Sequence, residues 1–171
     1  MKKIHALVLF AAIAFAIPPL PRKSPEFTIV EPGGKQTLLT SYKGKVILLG
    51  FFSTACPHCQ HTAQAFNSLF EAYGKEGLQC VGIAIDPRDD DPRVREFQHL
   101  YAPLLPVGKA SQESALSYLG ISVMDRRLVY PQVVVIDRHG MIREQSDPKG
   151  TAELQEATAL RPRIEALLKE R

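Results

Sequence analysis

Tryptophan is absent from this sequence of 171 residues, and cysteine occurs only three times, as Cys56, Cys59 and Cys80. Three cysteines are too few for a fold that disulfides hold together, but they suffice for one redox pair and one further thiol. The formal net charge is only +3, and the lysines and arginines are scattered along the chain. A nucleic-acid-binding role therefore has little support.

A long apolar run is also missing. The apolar run at residues 7–17 is shorter than the ~20 residues that a membrane-spanning helix needs. Lys2 and Lys3 precede it, and the sequence Ala-Phe-Ala at residues 14–16 has the small-x-small form of a cleavage site. Residues 1–16 are therefore predicted to be a secretory signal peptide, with an uncleaved membrane anchor as the alternative.

Four prolines follow within residues 17–25, and they predict an extended tether without secondary structure. Residues 26–171 are long enough for an ordinary hydrophobic core, so they are predicted to be a single domain. Export would place this domain in a periplasmic or other extracytoplasmic compartment. A pair of thiols can form a disulfide there and be reduced again.

The chain is organised around the motif Cys56-Pro57-His58-Cys59. The run Val46–Phe52 before it has no polar alternation, which predicts a strand covered on both faces of a parallel sheet. The segment after it has apolar residues at helical spacing, namely Phe66, Leu69, Phe70 and Tyr73. The motif is therefore predicted to open a helix, with Pro57 at the first helical position, where its missing N–H does no harm.

The two cysteines of the motif are predicted to have different roles. Cys56 is at the exposed helix start, where unpaired N–H groups and the helix dipole favour a thiolate. Helical spacing places Cys59 near the buried stripe. Thiol–disulfide exchange needs a nucleophilic thiolate and a second thiol that resolves the mixed disulfide, so we assign these roles to Cys56 and Cys59. His58 is predicted to add a hydrogen bond or positive charge to the thiolate.

Local patterns predict the remaining elements. Strands are expected at residues 27–30, 36–39, 81–85, 104–107, 132–136 and 141–144. Further helices are expected from Pro92 to about Tyr101, from Ser111 to Leu119 and from Thr151 onward, with a break or kink at Pro162. Asp91 is interpreted as a helix cap and not as part of an acidic metal loop. This order of elements predicts a three-layer α/β domain with a mixed sheet.

Four segments together resemble exported thioredoxin-like proteins of the TlpA/ResA type, over roughly residues 27–171. They are Gly34-Lys35 followed by the turn at 42–46, the block 51–59, the strand 81–86 that leads into a helical insertion, and the proline strand and hairpin at 130–142. The resemblance implies a thioredoxin-like fold, in which helices flank a mixed central sheet and an N-terminal hairpin precedes it. It also implies a monomeric thiol:disulfide oxidoreductase.

The resemblance implies further features of the site. Pro131 would follow a cis peptide bond beside the cysteines, and the backbone of Tyr130 would pair with a substrate chain. No cofactor is implied other than a redox-active Cys56–Cys59 disulfide. The expected partners are protein thiols and disulfides of the exported compartment, together with a membrane redox protein.

The chain also departs from the family pattern. Phe52 and Ala55 stand where relatives have tryptophan, and Gly50 stands where thioredoxin keeps a buried acid. Asp86 lies near an acidic position of TlpA/ResA proteins. The architecture favours a reductant, whereas the dipeptide Pro-His at 57–58 resembles DsbA-type oxidases, so the direction of electron flow stays open.

Two other functions are compatible with the motif. A copper or zinc chaperone would bind metal through a set of sulfur and imidazole ligands, namely Cys56, Cys59, His58 and His61. A peroxiredoxin-like peroxidase is suggested by Ser53 and Thr54 before Cys56, although Leu49 stands where peroxiredoxins have proline. The third cysteine, Cys80, is predicted to be an inert core residue.

Overall fold

The computed structural model describes residues 18–122 and 128–170. The predicted signal peptide at residues 1–16 lies outside the described residues. Within them, one sheet contains eight strands: β1 (Arg22–Lys23), β2 (Thr28–Val30), β3 (Gln36–Leu38), β4 (Val46–Phe52), β5 (Leu78–Ala84), β6 (Val107–Lys109), β7 (Gln132–Ile136) and β8 (Met141–Gln145). The α-helices are α1 (Pro57–Tyr73), α2 (Asp91–Tyr101), α3 (Gln112–Leu119) and α4 (Ala157–Lys169).

The sheet is mixed, with the strand order β1-β8-β7-β4-β5-β6-β2-β3. β4, β5 and β6 are parallel, whereas β7 pairs with β4 in the antiparallel direction. Because β4 lies between β5 and β7, it is hydrogen-bonded on both sides, and every one of its residues is buried. The continuous apolar run that predicted this strand is thus explained by helices on both faces of the sheet.

Alternate residues of β4 face two different cores. Val46, Leu48 and Phe52 pack into a core that α1, α2 and α4 cover. Ile47, Leu49 and Phe51 pack into a second core, which α3 covers on the opposite face. This arrangement of helices, sheet and helix confirms the predicted three-layer α/β fold.

The N-terminal hairpin and the helical insertion that the resemblance implied are also present. β2 and β3 form an antiparallel hairpin near the N-terminus of the described chain. α2 and β6 are inserted between β5 and α3, and β6 extends the sheet next to β5. None of the described helices is long and apolar enough to cross a membrane.

The prediction of an unstructured tether is wrong for residues 22–23. They form β1, which pairs with β8 through Arg22 opposite Ile142. The Arg22 guanidinium Nη2 also donates to the carbonyl oxygen of Tyr118 (2.9 Å) and to Gln145 Oε1 (2.8 Å). β8 would otherwise present unpaired backbone groups at the edge of the sheet, and β1 satisfies some of them.

The last helix was predicted to break or kink at Pro162, and the break is wrong, because α4 continues through this residue. A proline costs the helix one backbone hydrogen bond, but Leu160, Ile164 and Leu167 are buried on the core-facing side. Packing of this face therefore outweighs the local penalty. The turn before α4, Ala152–Gln155, is a separate 3₁₀ segment.

Two element boundaries differ from the sequence prediction. The residue that caps α2 is Asp90, not Asp91, and its Oδ1 accepts a hydrogen bond from the Arg93 backbone N–H at 3.0 Å. The short strand expected at 104–107 instead spans Val107–Lys109. Its position is set by pairing with β5, which local apolar content does not reveal.

Candidate active site

The motif stands at the carboxyl end of β4, where a short loop leads into α1. Cys56 is the N-cap residue, and its backbone is extended. Its N–H donates to the carbonyl oxygen of Ser53, and its own carbonyl oxygen accepts from the Gln60 N–H, both at 3.1 Å. Pro57 occupies the first helical position and is exposed, as is His58, while Cys56 is half-buried. The predicted placement of these residues on the helix start is confirmed.

Cys59, one turn further along, is fully buried. The Ser53 backbone N–H donates to its Sγ at 3.5 Å. Burial raises the pKa of the Cys59 thiol well above its ordinary value; the Ser53 N–H opposes this shift, and the neighbouring Cys56 and Asp89 add to it. Cys59 therefore holds its proton strongly. Both cysteines are free thiols in this structure.

Asp86, which follows β5, is hydrogen-bonded to the loop between β4 and α1. Its side chain is almost completely buried and accepts a hydrogen bond from Ser53 Oγ at 3.0 Å. The Arg88 guanidinium donates to both carboxylate oxygens, at 2.9 Å and 2.7 Å. These bonds from Arg88 hold the pKa of the Asp86 carboxyl well below its usual range. Arg88 therefore favours the ionised form of Asp86 and balances its charge.

Asp89 holds the next residue of the same loop. Its carboxylate accepts from the Thr54 backbone N–H at 3.1 Å and from Thr54 Oγ1 at 2.5 Å. The Gln60 side chain closes the loop from the helix side, because its Nε2 donates to the Thr54 carbonyl oxygen at 3.1 Å. Two carboxylates from the segment after β5 thus position the two residues that precede Ala55 and Cys56.

Sequence reasoning missed Asp89 as a site residue. A signal was available in the order of the elements. Ser53 and Thr54 follow β4, and Asp86 and Asp89 follow β5. The carboxyl ends of neighbouring parallel strands lie at the same edge of a sheet, so hydroxyls and carboxylates in these loops are expected to meet.

Pro131 lies next to the motif because β7 is the antiparallel neighbour of β4, with Gln132 opposite Phe51. The Tyr130–Pro131 peptide bond is cis, as the family resemblance implied. The Tyr130 side chain is half-buried and packs against the core that contains Cys59. Burial raises the pKa of Tyr130, and the charges of the nearby carboxylates and of Cys59 add to the shift.

The position of the buried acid of thioredoxin is filled differently here. A Cβ atom on Gly50 would lie 2.3 Å from Cζ of Phe52, which is far inside van der Waals contact. The Phe52 ring occupies this space and packs on Phe66 and Phe97, with ring centroids 6.1 Å and 5.7 Å away. The acidic groups near the cysteines therefore come from the loop after β5.

The side chains of the suggested metal site are not brought together. His61 points to α4, where its Nε2 lies 3.0 Å from Glu156 Oε2. Among residues 18–122 and 128–170, no group of three or more His, Cys, Asp or Glu side chains is placed to hold a metal ion. Cys80 is fully buried in β5, and burial raises its pKa. It takes no part in the site.

The fold and the two neighbouring cysteines at a helix start define a thioredoxin-like protein with a CxxC motif. Residues 21–145 match the AhpC/TSA family, so the chain belongs to this family. Thiol-disulfide oxidoreductase ResA of Geobacillus thermodenitrificans is 23% identical to it over 154 residues, with 84% of each chain covered. The resemblance to ResA-type proteins is thereby confirmed.

Two further similarities complete this comparison. A solved thioredoxin-family thiol:disulfide interchange protein from Chlorobium tepidum TLS has a TM-score of 0.67 and 24% identity, covering 88% of this chain and 99% of its own. This likeness shows the thioredoxin-like fold. A chloroplastic peroxiredoxin Q from Triticum aestivum is 32% identical over 93 residues, but only 44% of this chain and 43% of the relative are covered.

Proposed function

We propose that this protein is an exported thiol-disulfide oxidoreductase that exchanges disulfides with protein substrates through Cys56 and Cys59. The observation that carries the proposal is the contrast between the two thiols. Cys56 is half-buried at the helix start, and Cys59 is fully buried one turn later. The similarity to ResA, whose name describes the same activity, supports it.

In the reducing direction, the Cys56 thiolate attacks one sulfur of a substrate disulfide. A Cys56–substrate mixed disulfide forms, and the second substrate sulfur leaves as a thiolate. Cys59 then attacks the Cys56 sulfur and displaces the remaining substrate sulfur, which also leaves as a thiolate. The proton of Cys59 is transferred to a departing thiolate. Two electrons have moved to the substrate, and a Cys56–Cys59 disulfide remains.

The surroundings of Cys59 control the second step. Because Cys59 is buried and holds its proton strongly, it does not compete with Cys56 for an incoming substrate. The Ser53 N–H, 3.5 Å from Sγ, stabilises negative charge on Cys59 as the proton leaves. We assign substrate binding to Tyr130 and Pro131, with the backbone of Tyr130 pairing with the substrate chain in the manner of a sheet edge.

We further propose that the protein acts as a reductant. A disulfide is a strong oxidant when its reduced form is stabilised. Here the Asp89 carboxylate, which is hydrogen-bonded to Thr54, adds to the burial that raises the pKa of Cys59, and both disfavour a thiolate at Cys59 in the reduced form. The His58 side chain is exposed and makes no hydrogen bond or ion pair with other described residues, so it offers little to oppose this effect.

The test is equilibration of the purified domain with reduced and oxidised glutathione, followed by quantitation of free thiols after alkylation. A reduction potential near the ~−270 mV of thioredoxin is expected for a reductant. A potential near the ~−120 mV of DsbA would reverse the proposed direction. The Cys59→Ser variant is the control, because it cannot form the intramolecular disulfide.

Export is proposed from the N-terminal leader. Expression of the full chain in a bacterial host with a periplasm should yield a product cleaved after residue 16, detected by its intact mass and N-terminal sequence. Recovery of uncleaved protein in the membrane fraction would favour the anchor instead. As a reductant in an oxidising compartment, the protein would need a dithiol donor of electrons, and we propose a membrane redox protein for this role.

A peroxidase is the second candidate, because the chain is similar to a peroxiredoxin Q over 93 residues, which cover 44% of its length. The hydroxyl of Thr54, close to Cys56 in sequence, is already engaged by Asp89. We therefore expect peroxide consumption to be much slower than disulfide exchange. The measurement compares consumption of hydrogen peroxide and reduction of insulin under the same dithiothreitol concentration. A faster, Cys56-dependent peroxidase rate would replace the first proposal by the second.

A further inference from the structure

A cleft lies at the end of the sheet opposite the cysteines. Its volume is about 240 Å³, and its walls come from β1 and the chain after it, the turn between β3 and β4, the start of β4 and the hairpin turn between β7 and β8. We call it the basal cleft; its lining includes Leu39, Ile47, Ile136, Lys23, Lys43 and Arg138. We propose that the basal cleft binds a compact organic carboxylate with an apolar body.

The position of the basal cleft separates it from the thiol chemistry. Cys56 follows the carboxyl end of β4, whereas the cleft is at the amino end of the same strand. The length of a seven-residue strand, about 20 Å, therefore lies between them. The proposed site is a second site, and it does not depend on the proposed redox function.

The floor of the basal cleft is apolar. Ile47 and Ile136 are opposite each other where β4 pairs with β7, and both belong to the core on the α3 side of the sheet. Leu39 packs into the same core from the 3₁₀ turn before β4. Tyr42, which is half-buried against this core, adds ring surface, and the hydrocarbon stems of the lysines at the rim extend the apolar wall.

Cationic side chains form the rim. Lys23 and Lys43 are exposed, and the side chain of neither makes a hydrogen bond or ion pair within the described residues. Lys45 Nζ donates to a neutral group, Gln79 Oε1, at 3.3 Å. The Arg138 guanidinium donates to three backbone carbonyl oxygens, at 2.9–3.3 Å. Four cations thus border the cleft, and none of them is paired with a carboxylate in the part of the chain that the structure describes.

The carboxylates beside the cleft do not neutralise this rim. Asp137 is 5% exposed and accepts from two backbone N–H groups of the hairpin turn, both at 2.9 Å, and from Arg143 Nη1 at 3.1 Å. Glu26, which follows the lining residue Pro25, accepts from the hydroxyl and the backbone N–H of Thr40. Both carboxylates are therefore already bonded. The field at the rim is positive and favours an anion.

The volume of the basal cleft limits the size of its ligand. Sites for drug-sized molecules have ~300–1,000 Å³, and they combine an apolar lining with a few polar groups that fix orientation. A cleft slightly below this range fits one or two fused rings or a short alkyl chain. A carboxylate on such a body would meet the lysines while the body covers the floor.

The test uses amide chemical shifts of the isotope-labelled protein during titration with three probes. They are naphthoate, which has both parts of the proposed ligand, acetate, which lacks the apolar body, and naphthylmethanol, which lacks the charge. The variants Lys43→Glu and Lys23→Glu reverse one charge on either side of the cleft. Arg95→Glu is the matched control, because it changes the net charge equally at an exposed position of α2.

We expect naphthoate to cause saturable shifts at residues 43–45 and 137–140. Acetate should bind at least about thirtyfold more weakly, because it buries little apolar area, and naphthylmethanol at least about tenfold more weakly. Each lysine reversal should weaken the binding of naphthoate about fivefold to tenfold, and Arg95→Glu should leave it unchanged. Thermal unfolding checks that every variant is folded.

Three results would overturn the proposal. The first is the absence of saturable shifts at these residues up to the solubility of naphthoate. The second is an equal loss of affinity in Arg95→Glu and the two lysine variants, because it would reflect net charge alone. The third is binding to phosphatidylglycerol vesicles that Lys43→Glu abolishes, without saturable binding of naphthoate, which would assign the basal cleft to a membrane surface.

Insulin reduction separates this proposal from the proposed function. Lys43→Glu and Lys23→Glu should reduce insulin at the wild-type rate, because their positions are at the opposite end of β4 from Cys56. Wild-type protein that binds naphthoate but does not reduce insulin would overturn only the proposed function. Wild-type protein that reduces insulin but does not bind naphthoate would overturn only the basal cleft.

Discussion

Cys56 and Cys59 are one helical turn apart, yet their surroundings differ in every respect that matters for thiol chemistry. Cys56 is half-buried and has exposed neighbours in Pro57 and His58. Cys59 is fully buried, accepts a hydrogen bond from Ser53 and lies near the carboxylate of Asp89. The exposed face of the helix start gives access to substrate, and the buried face controls protonation and charge.

The comparison shows how a symmetric motif acquires two roles. The helical period of 3.6 residues explains only part of the difference between the environments of the two thiols. The rest of the difference comes from the loop after β5, whose carboxylates hold Ser53 and Thr54 beside the buried thiol. Predictions that separate the two faces therefore test the proposed mechanism step by step.

The largest effect is expected from Cys56→Ser. Loss of the accessible, half-buried nucleophile should lower insulin reduction by at least about a hundredfold, because the remaining thiol is buried and its pKa is raised. The assay is dithiothreitol-driven insulin turbidity. Cys80→Ala is the matched control: it removes a thiol that is buried in β5 away from the site, and it should keep the wild-type rate. Full activity of Cys56→Ser would refute the proposed function.

Cys59→Ser should affect only the second step. The first attack by Cys56 stays possible, but the mixed disulfide cannot be resolved from within the protein. A covalent adduct with a protein substrate should therefore accumulate, visible as a higher band on a non-reducing gel that dithiothreitol removes. If Cys59→Ser turned over insulin like wild type, Cys59 would not be the resolving residue.

Asp86→Asn tests whether the ionised carboxylate stabilises the loop that precedes Cys56. The wild-type carboxylate accepts hydrogen bonds from Ser53 and Arg88, and the variant weakens them. The free energy of unfolding at pH 7 should therefore fall by about 1–2 kcal/mol. The folded-state pKa of Asp86 is depressed, so its contribution is fully present above the unfolded value of ~3.9 and is lost as the pH falls through the folded value. The measurement is urea unfolding across pH.

The stability curves of wild type and Asp86→Asn are therefore expected to approach each other below about pH 4. A difference that stayed constant from pH 7 to pH 3 would show that the ionised carboxylate is not what stabilises the loop. Both proteins should share the other acid-sensitive groups, so the comparison isolates position 86.

The smallest effect is expected from His58→Ala on the exposed face. Because this side chain is exposed, its influence on the Cys56 thiolate is screened by water and should change the rate of alkylation by iodoacetamide about twofold to fivefold. The control is His61→Ala, because His61 lies on the same helix as His58 but is paired with Glu156. This variant should leave the alkylation rate unchanged. Identical alkylation profiles for His58→Ala and wild type would remove His58 from the mechanism.

Local patterns in the sequence were sufficient wherever structure depends on near neighbours. The apolar run Val46–Phe52 and the strand Gln132–Ile136 have the predicted bounds, and α1 begins at the expected proline and ends at Tyr73 before two glycines. The hydrophobic spacing of α1 also indicated which cysteine is buried. These features follow from helical and strand periods, which a single stretch of sequence contains.

Contacts between distant segments were the part that local patterns could not supply. Pairing of β1 with β8 and tolerance of Pro162 in α4 both depend on which surfaces meet. The hydrogen bond from Thr54 to Asp89, 35 residues away, depends on the parallel pairing of β4 with β5.

The sequence by itself thus determined the fold class, the helix that presents the motif and the order of exposed and buried thiols. Only the tertiary structure decided which charged group lies near the buried thiol and which loops meet at the start of α1. Strand and helix periods act over a few residues, whereas the electrostatic environment of a site is the sum of groups that sheet order brings together.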